Sequence, residues 1–217
     1  MYKVIKKAIS RELAEFCYDY FCNKRKVARL FFDARYISQF NTDWGVWNDE
    51  QVPETYSQYS DLVMETLLEK VQPIMEIEAE VKLNPTYSYA RIYKKGDVLE
   101  RHKDRYSCEI SATMNLGGDP WKLFIDPTGK GEQTEERYKM GMAKGKSILM
   151  KPGDMVIYHG CDLEHWREAF EGENCGQVFF HYNDVNKKEA EENKFDTRPF
   201  LGLPTWFKGF KIDNTIN

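Results

Sequence analysis

Residues 91–104 read RIYKKGDVLERHKD, and the fold turns on how they are read. A β-favouring run ends at the turn formers Lys95-Gly96-Asp97 and restarts as VLERH over 98–102, the pattern of two extended segments folded back on each other. Residues two apart on a strand share a face, so His102 and Asp104 aim their side chains at one point. Far along the chain, His165 brings a second imidazole from a different segment. Two imidazoles and one carboxylate form the donor set of a non-haem iron site. Such a face leaves part of the octahedron open for a co-substrate and oxygen.

Outward from this stretch, short apolar or alternating runs recur between turn residues. Candidate strands are 78–83, 87–93, 98–102, 108–116, 121–125, 146–150, 154–159 and 176–182. Breaks at Asn84-Pro85, Gly117-Gly118, Pro127-Thr128-Gly129 and Pro152-Gly153 separate them, as in an antiparallel β domain. Before them, Ser10 is placed to cap an amphipathic helix over 11–23, and 31–50 reads as a long ordered loop. A second helix is expected after Pro53, carrying Tyr56, Tyr59, Leu62, Val63, Leu67 and Val71 and stopping near Pro73.

The fold class predicted is mainly β with N-terminal helices: a double-stranded β-helix, or cupin-like jelly roll. One domain is expected over 1–217, with helical support in 1–77, the jelly-roll core in 78–183 and a C-terminal extension in 184–217. Within the extension, 185–195 is charged and suited to the surface, whereas 197–210 is apolar enough to pack back. Residues 126–145 are polar and carry glycine, which leaves two readings open: a solvated insertion, or a lid over a site mouth.

A net charge of -4 with no long basic run argues against general affinity for a nucleic-acid backbone. The first fifteen or so residues lack the continuous apolar segment of a secretory leader, and no run nears the ~20 apolar residues of a membrane span. A soluble, cytoplasmic protein is the expectation. Cys17, Cys22, Cys108, Cys161 and Cys175 are odd in number and form no CxxC motif, so they read as reduced thiols, packed as small apolar side chains.

The stretch RIYKKGDVLERHKD, followed by MKPGDMVIYHG (150–160) and LEHW (163–166), resembles the Fe(II)/2-oxoglutarate-dependent oxygenases, and within them the prolyl 4-hydroxylase-like branch. The likeness spans roughly 87–182. HxD alone is a weak signal; HxD after YxxGD, joined to a PGD turn, a strand and a later histidine, is far more specific. The resemblance implies that His102, Asp104 and His165 bind Fe(II), with 2-oxoglutarate and O2 as co-substrates and no catalytic residue beyond the metal ligands. Retention of Asp104 points to hydroxylation over halogenation. His159 is a rival ligand, but GCDLEH supplies the turn that precedes the metal histidine in the family pattern, which favours His165.

For 2-oxoglutarate, Tyr93 matches the family's tyrosine. The family's basic residue is missing, because the region about ten residues past His165 reads NCGQVFF. Arg167 is the nearest candidate: two residues beyond His165, it can grip a carboxylate through two parallel hydrogen bonds. A rim salt bridge to Glu164 or Glu168 is its alternative role. Gln177, Thr113 and Arg91 complete the candidate set. For the substrate pocket, Tyr106, Trp121, Trp166 and His181 are candidates, although core packing is the favoured reading for Tyr106 and the tryptophans, Trp44 and Trp47 included. The resemblance implies a prolyl residue in a peptide or protein as substrate, with a free amino acid or small metabolite as the alternative. A reading of another class is a catalytically silent metal-binding domain that contacts a protein partner.

Overall fold

A short strand opens the chain in the computed structural model, which describes residues 1–133 and 138–210. β1 (Tyr2–Ile5) leads into α1 (Arg11–Asp33), β2 (Tyr56–Tyr59) and α2 (Leu62–Ala79). Strands then follow in close succession: β3 (Leu83–Lys94), β4 (Leu99–His102), β5 (Ile110–Gly118), β6 (Lys122–Ile125), β7 (Glu132–Gln133), β8 (Tyr138–Lys139), β9 (Lys146–Leu149), β10 (Met155–His159), β11 (His165–Arg167) and β12 (Asn174–Asp184). They form a six-stranded sheet in the order β1-β10-β5-β12-β3-β2, a four-stranded sheet in the order β4-β11-β6-β9, and a separate β7-β8 ribbon. Every ladder is antiparallel. The result is the double-sheet jelly roll with N-terminal helices that the strand spacing predicts.

Period-two alternation divides the large sheet into two chemically different faces. Ala112, Met114 and Leu116 of β5, Val178, Phe180 and Tyr182 of β12, and Ala90 and Ile92 of β3 join one apolar core with the helices. Against them α1 sets Ala14, Cys17, Phe21 and Ala28, and α2 sets Met64, Leu67, Leu68, Val71 and Met75. These spacings are the one-sided stripe of an amphipathic helix. The intervening residues are Ser111, Thr113 and Asn115 on β5, Gln177 and His181 on β12, and Arg91 on β3, all buried. They point into the space between the two sheets. A buried polar wall of this kind requires hydrogen-bond partners, from the protein or from a ligand.

The helical region departs from expectation in several places. α1 begins at the predicted cap, where Ser10 Oγ accepts from Leu13 N–H, but continues to Asp33. Tyr56–Tyr59 is an edge strand paired with β3, not helix. Its side chains are buried along almost the whole run, which suits a strand covered on both faces, and helix α2 starts only where Asp61 caps Val63 and Met64 N–H. Pro73 lies inside α2, not at its end. Its ring is exposed, so the Glu69 carbonyl that loses its partner faces water. Glu78 and Ala79 end that helix, Glu80 takes a left-handed conformation, and strand begins only at Leu83. Asn84-Pro85 does not break β3, because a register shift between His181 and Tyr182 absorbs the proline.

At the C-terminal side, the Arg198 guanidinium is buried against α2. It donates to Glu65 Oε1 at 3.0 Å, to the Thr86 carbonyl at 3.1 Å and to the Leu203 carbonyl at 2.6 Å. Leu201 enters the helical core beside it. Parts of two sequence expectations, 134–137 within the 126–145 insertion and 211–217 of the extension, lie outside the described residues. Among the described residues no helix is long and apolar enough to cross a membrane. Arg198→Met strands the buried Glu65 carboxylate without its counter-charge, so urea unfolding is expected to show a loss of ~3–5 kcal/mol. Pairing it with Glu65→Gln should restore part of that loss, and full independence of the two changes would refute the coupling.

Candidate metal centre

The turn after β3 sets the position of β4. Gly96 has φ +87, a left-handed conformation open to glycine without penalty. Buried Asp97 ties the turn by accepting from Lys94 N–H at 2.9 Å and from Thr55 Oγ at 2.6 Å. β4 then lies against β11 in a register that places His165 opposite His102. Their ring centroids are 4.3 Å apart.

Each imidazole is oriented by a backbone carbonyl. His102 Nδ1 lies 2.7 Å from Glu100 O, and His165 Nδ1 lies 3.0 Å from Leu163 O. A carbonyl only accepts, so both Nδ1 atoms carry a proton, and each ring when neutral directs the Nε2 lone pair toward Asp104. Asp104 Oδ1 sits 3.6 Å from His102 Nε2 and 3.4 Å from His165 Nε2. All three ligand atoms fall within 4.8 Å of one another, a spacing that suits one cation. Asp104 is aimed from both ends. Its N–H donates to Gly160 O at 2.9 Å, and Ser111 Oγ donates to Oδ2 at 2.9 Å. A Cβ at Gly160 would overlap Asp104 Oδ2 and the Cys108 carbonyl, so only glycine permits this approach.

The residues just before the two histidines lock their strands together on the outer side. Arg101 donates to Glu164 and, at 2.6 Å, to Asp126, and it stacks on Trp166 with the guanidinium 4.3 Å from a ring centroid. Both carboxylates are fully buried. Gly141 N–H adds a bond to Glu164 at 2.9 Å, so the return of the 126–145 segment is tied to the same cluster.

Charge within the triad is shared. Burial opposes the Asp104 charge, yet the neighbouring His165 and His102 outweigh it and hold the carboxyl well below its usual range. Burial disfavours the His165 cation, but Asp104 prevails and raises its pKa.

A cavity of about 300 Å³ opens over the triad. Asp49 and Gln51 reach into it from the loop between α1 and β2. Asp49 accepts from Arg91 Nη2 at 2.7 Å and from the Tyr89 hydroxyl. Gln51 Oε1 accepts from Arg91 Nη1, and its amide nitrogen donates to His102 Nε2 at 3.2 Å. A cation at the triad would take that lone pair and displace the amide. Sequence reading missed both residues, together with Ser111 and Gly160. The loop showed only its aromatic content, and nothing local in DWGVWNDEQ reveals that its polar end turns inward.

Farther in, the five candidate co-substrate residues form one set connected through Trp121. Arg91 Nη1 donates to the Tyr93 hydroxyl at 3.3 Å. Tyr93 packs on Trp121, centroids 4.7 Å apart, and the Arg167 guanidinium lies over the other part of that wall, 5.0 Å from the Trp121 ring. Arg167 Nη2 donates to Gln177 Oε1 at 3.2 Å, and Thr113 Oγ meets the same oxygen at 3.4 Å. Arg167 is fully buried and donates otherwise only to the Trp121 carbonyl at 3.0 Å; its Nε has no partner among the described residues. The rim salt bridge to Glu164 or Glu168 is not formed. Burial without an acid beside it lowers the Arg167 pKa.

The pocket candidates separate. His181 lines the cavity. Tyr106 is exposed and points to Glu189, Trp121 is core packing, and Trp166 stacks with Phe124 on the outer face. His159 turns away to Asp162 at 3.3 Å. All five cysteines are free thiols.

No family model and no curated protein sequence matches the chain. Solved structures do. A Pseudomonas putida prolyl-4-hydroxylase aligns at 13% identity and TM-score 0.53, over 85% of this chain and 93% of that one. HygX from Streptomyces hygroscopicus, solved with nickel, 2-oxoglutarate and hygromycin B bound, aligns at 15% identity and TM-score 0.58, over 85% and 83%. AviO1 from Streptomyces viridochromogenes Tue57 aligns at 13% identity and TM-score 0.60, over 87% and 92%. The fold is therefore that of the 2-oxoglutarate/Fe(II) oxygenases, prolyl 4-hydroxylases among them.

A cation must displace the proton that Asp104 holds on His165. Affinity for a divalent ion is expected to rise as pH increases through the raised His165 pKa, by roughly tenfold per pH unit below it for one displaced proton. Calorimetric titration with Co(II) at several pH values measures this, and a flat profile from about pH 6 to 8 would contradict the charge sharing described for the triad.

Proposed function

We propose that this chain is an Fe(II)- and 2-oxoglutarate-dependent oxygenase that hydroxylates an unactivated carbon. The observation that carries the reading is Arg167: a guanidinium with no exposed surface and no carboxylate partner among the described residues. A guanidinium stays charged, and burying one without a counter-charge costs several kcal/mol. A dicarboxylic ligand offsets that cost by placing its distal carboxylate against the planar fork. Arg167 follows His165 by two residues on β11, so this anion receptor shares the inward face of the strand with the metal-side histidine, behind the cavity that the triad lines.

Within that reading, His102, Asp104 and His165 would hold Fe(II), a donor set of two imidazoles and one carboxylate that suits an iron taking further ligands. Bound iron, together with 2-oxoglutarate and O2, supplies the oxidising chemistry that yields succinate, carbon dioxide and a hydroxylated carbon. Arg167, supported by Gln177 and Thr113, receives the distal carboxylate, and Tyr93 closes that end beside Trp121. Asp49 and Gln51 wall the cavity on the solvent side, which restricts water around the reacting atoms.

A prolyl residue in a peptide or protein is the substrate class proposed, supported by likeness in fold to prolyl-4-hydroxylases. The polar wall made by Asp49, Arg91, Tyr89 and Gln51 favours a second reading, a free amino acid or small polar metabolite.

Anaerobic addition of Fe(II) and 2-oxoglutarate is expected to produce an absorption band near ~500 nm from the chelate. Its absence from folded protein would defeat the assignment and favour a silent metal-binding domain. Arg167→Met is expected to weaken 2-oxoglutarate binding about a hundredfold, ~2.8 kcal/mol, while Fe(II) affinity and the urea midpoint hold. An apolar side chain of similar length replacing an unpaired buried charge is close to neutral for stability. Equal 2-oxoglutarate affinity in both proteins would remove Arg167 from the site.

A further inference from the structure

We infer that His181 is a specificity-determining residue that presents an unprotonated Nε2 to the substrate, so that the substrate must bring an N–H or O–H donor beside the carbon being oxidised. The inference rests on the oxygenase reading and names the chemistry of its substrate subsite.

His181 lies on β12 with its ring on the cavity wall. Its Nδ1 is 2.9 Å from Ser111 Oγ. That hydroxyl also lies 2.9 Å from Asp104 Oδ2 and 2.9 Å from the Cys108 carbonyl. A carboxylate and a carbonyl only accept, and serine has one proton to give. The proton goes to one of those oxygens, so toward His181 the hydroxyl can act only as acceptor. The ring must therefore donate from Nδ1. A neutral imidazole has a single N–H, which leaves Nε2 bare.

The surroundings keep the ring neutral. Burial pushes the His181 imidazole down to about 4, and the opposing pull of Asp104 does not overcome it, with Arg105 and His165 adding to the depression and Asp196 working against it. Tyr87 packs on the ring with centroids 4.7 Å apart, but its hydroxyl is engaged by Cys108 Sγ and Arg105 Nε and leaves Nε2 uncapped. No described residue donates to Nε2. The acceptor thus faces the cavity on the row of the sheet where Tyr87, His181, Ser111 and Tyr158 are register partners, the row whose serine aims Asp104.

Ligand classes follow from this polarity. Groups with acceptors alone, such as esters or carboxylates, meet a lone pair and are rejected, as a buried polar site rejects an unmatched ligand. Amide N–H groups, hydroxyls and ammonium groups are favoured. For a prolyl target the donor must come from a neighbouring residue, because proline in a chain has no N–H.

The decisive measurement is a long-range proton–nitrogen correlation spectrum of the full chain, labelled with nitrogen-15 at histidine and loaded with Zn(II). His181 is expected as the Nδ1–H tautomer, and an Nε2–H tautomer or an imidazolium would overturn the inference. This readout needs no turnover, so it stands or falls apart from the ~500 nm band that tests the oxygenase reading. A second arm follows product heavier by one oxygen in a panel of prolyl peptides, free amino acids and hygromycin B. His181→Gln, whose amide oxygen can replace Nε2, should retain activity on the accepted compounds. His181→Phe should raise KM about tenfold or more with kcat less affected and the band unchanged; an unchanged KM would also overturn it.

Discussion

The register that sets His165 opposite His102 is the constraint from which the site follows. A slip of one residue on β11 would turn His165 outward and bring Trp166 in, because side chains alternate with period two. Three features oppose that slip. Arg101 ties Glu164 and Asp126 across the outer side, the Gly96 turn and Asp97 fix where β4 begins, and Phe170 N–H bonds the Asp97 carbonyl at 2.9 Å. Asp104 is held separately, by the Gly160 carbonyl and Ser111. The triad is therefore arranged before any cation arrives, and the ion does not have to organise it.

Two buried arginines on the inner walls show how the same side chain serves different ends. Arg91 is neutralised by Asp49 at 2.7 Å and belongs to the protein's own network. Arg167 has carbonyl and amide oxygens but no acid. Were both structural, the fold would be expected to supply both with counter-charges, since an uncompensated buried charge destabilises by several kcal/mol. The asymmetry is what supports the proposal that Arg167 receives an anion whereas Arg91 serves packing. On the function proposed above, this reverses the ordinary link between function and stability, because the residue proposed to receive the anion is one whose replacement by an apolar side chain leaves the fold no less stable.

Sequence alone made the strand domain legible because turn residues punctuate it. RHKD after KKGD, and EHW after the PGD strand, carried the triad, and the absence of a basic residue from NCGQVFF pointed to Arg167 on β11, whose role is a proposal. What escaped depended on tertiary contact. Tyr56–Tyr59 has helical spacing relative to Leu62 and Val63, yet pairing with β3 and burial on both faces made it strand. Pro73 lies inside α2 on its exposed side, where the carbonyl that loses its partner can turn to water, so the helix continues past it. Asp49 and Gln51 come from a loop whose order is set by Trp44 and Trp47 packing on Phe31, Phe32 and Tyr56, a geometry with no local signature. Gly160 and Ser111 are ordinary residue types whose importance lies only in what they touch.

The polar interior is tolerable because the fold's apolar stabilisation lies elsewhere. On each central strand of the large sheet, one set of side chains is packed against two helices, where burial of groups such as Phe180, Met114 and Ile92 favours folding by roughly 1.5–3 kcal/mol each. That outer layer leaves the alternate positions free to carry serine, glutamine, histidine and arginine. Because the two sets interleave residue by residue, the strand positions that anchor the core also fix the inward side chains to within the precision of the backbone. Ser111 is bracketed by Ile110 and Ala112, and His181 by Phe180 and Tyr182, all core residues. A mutation that loosens the helical layer would therefore disturb the inward side chains as well, Ser111 beside Asp104 and His181 on the cavity wall included.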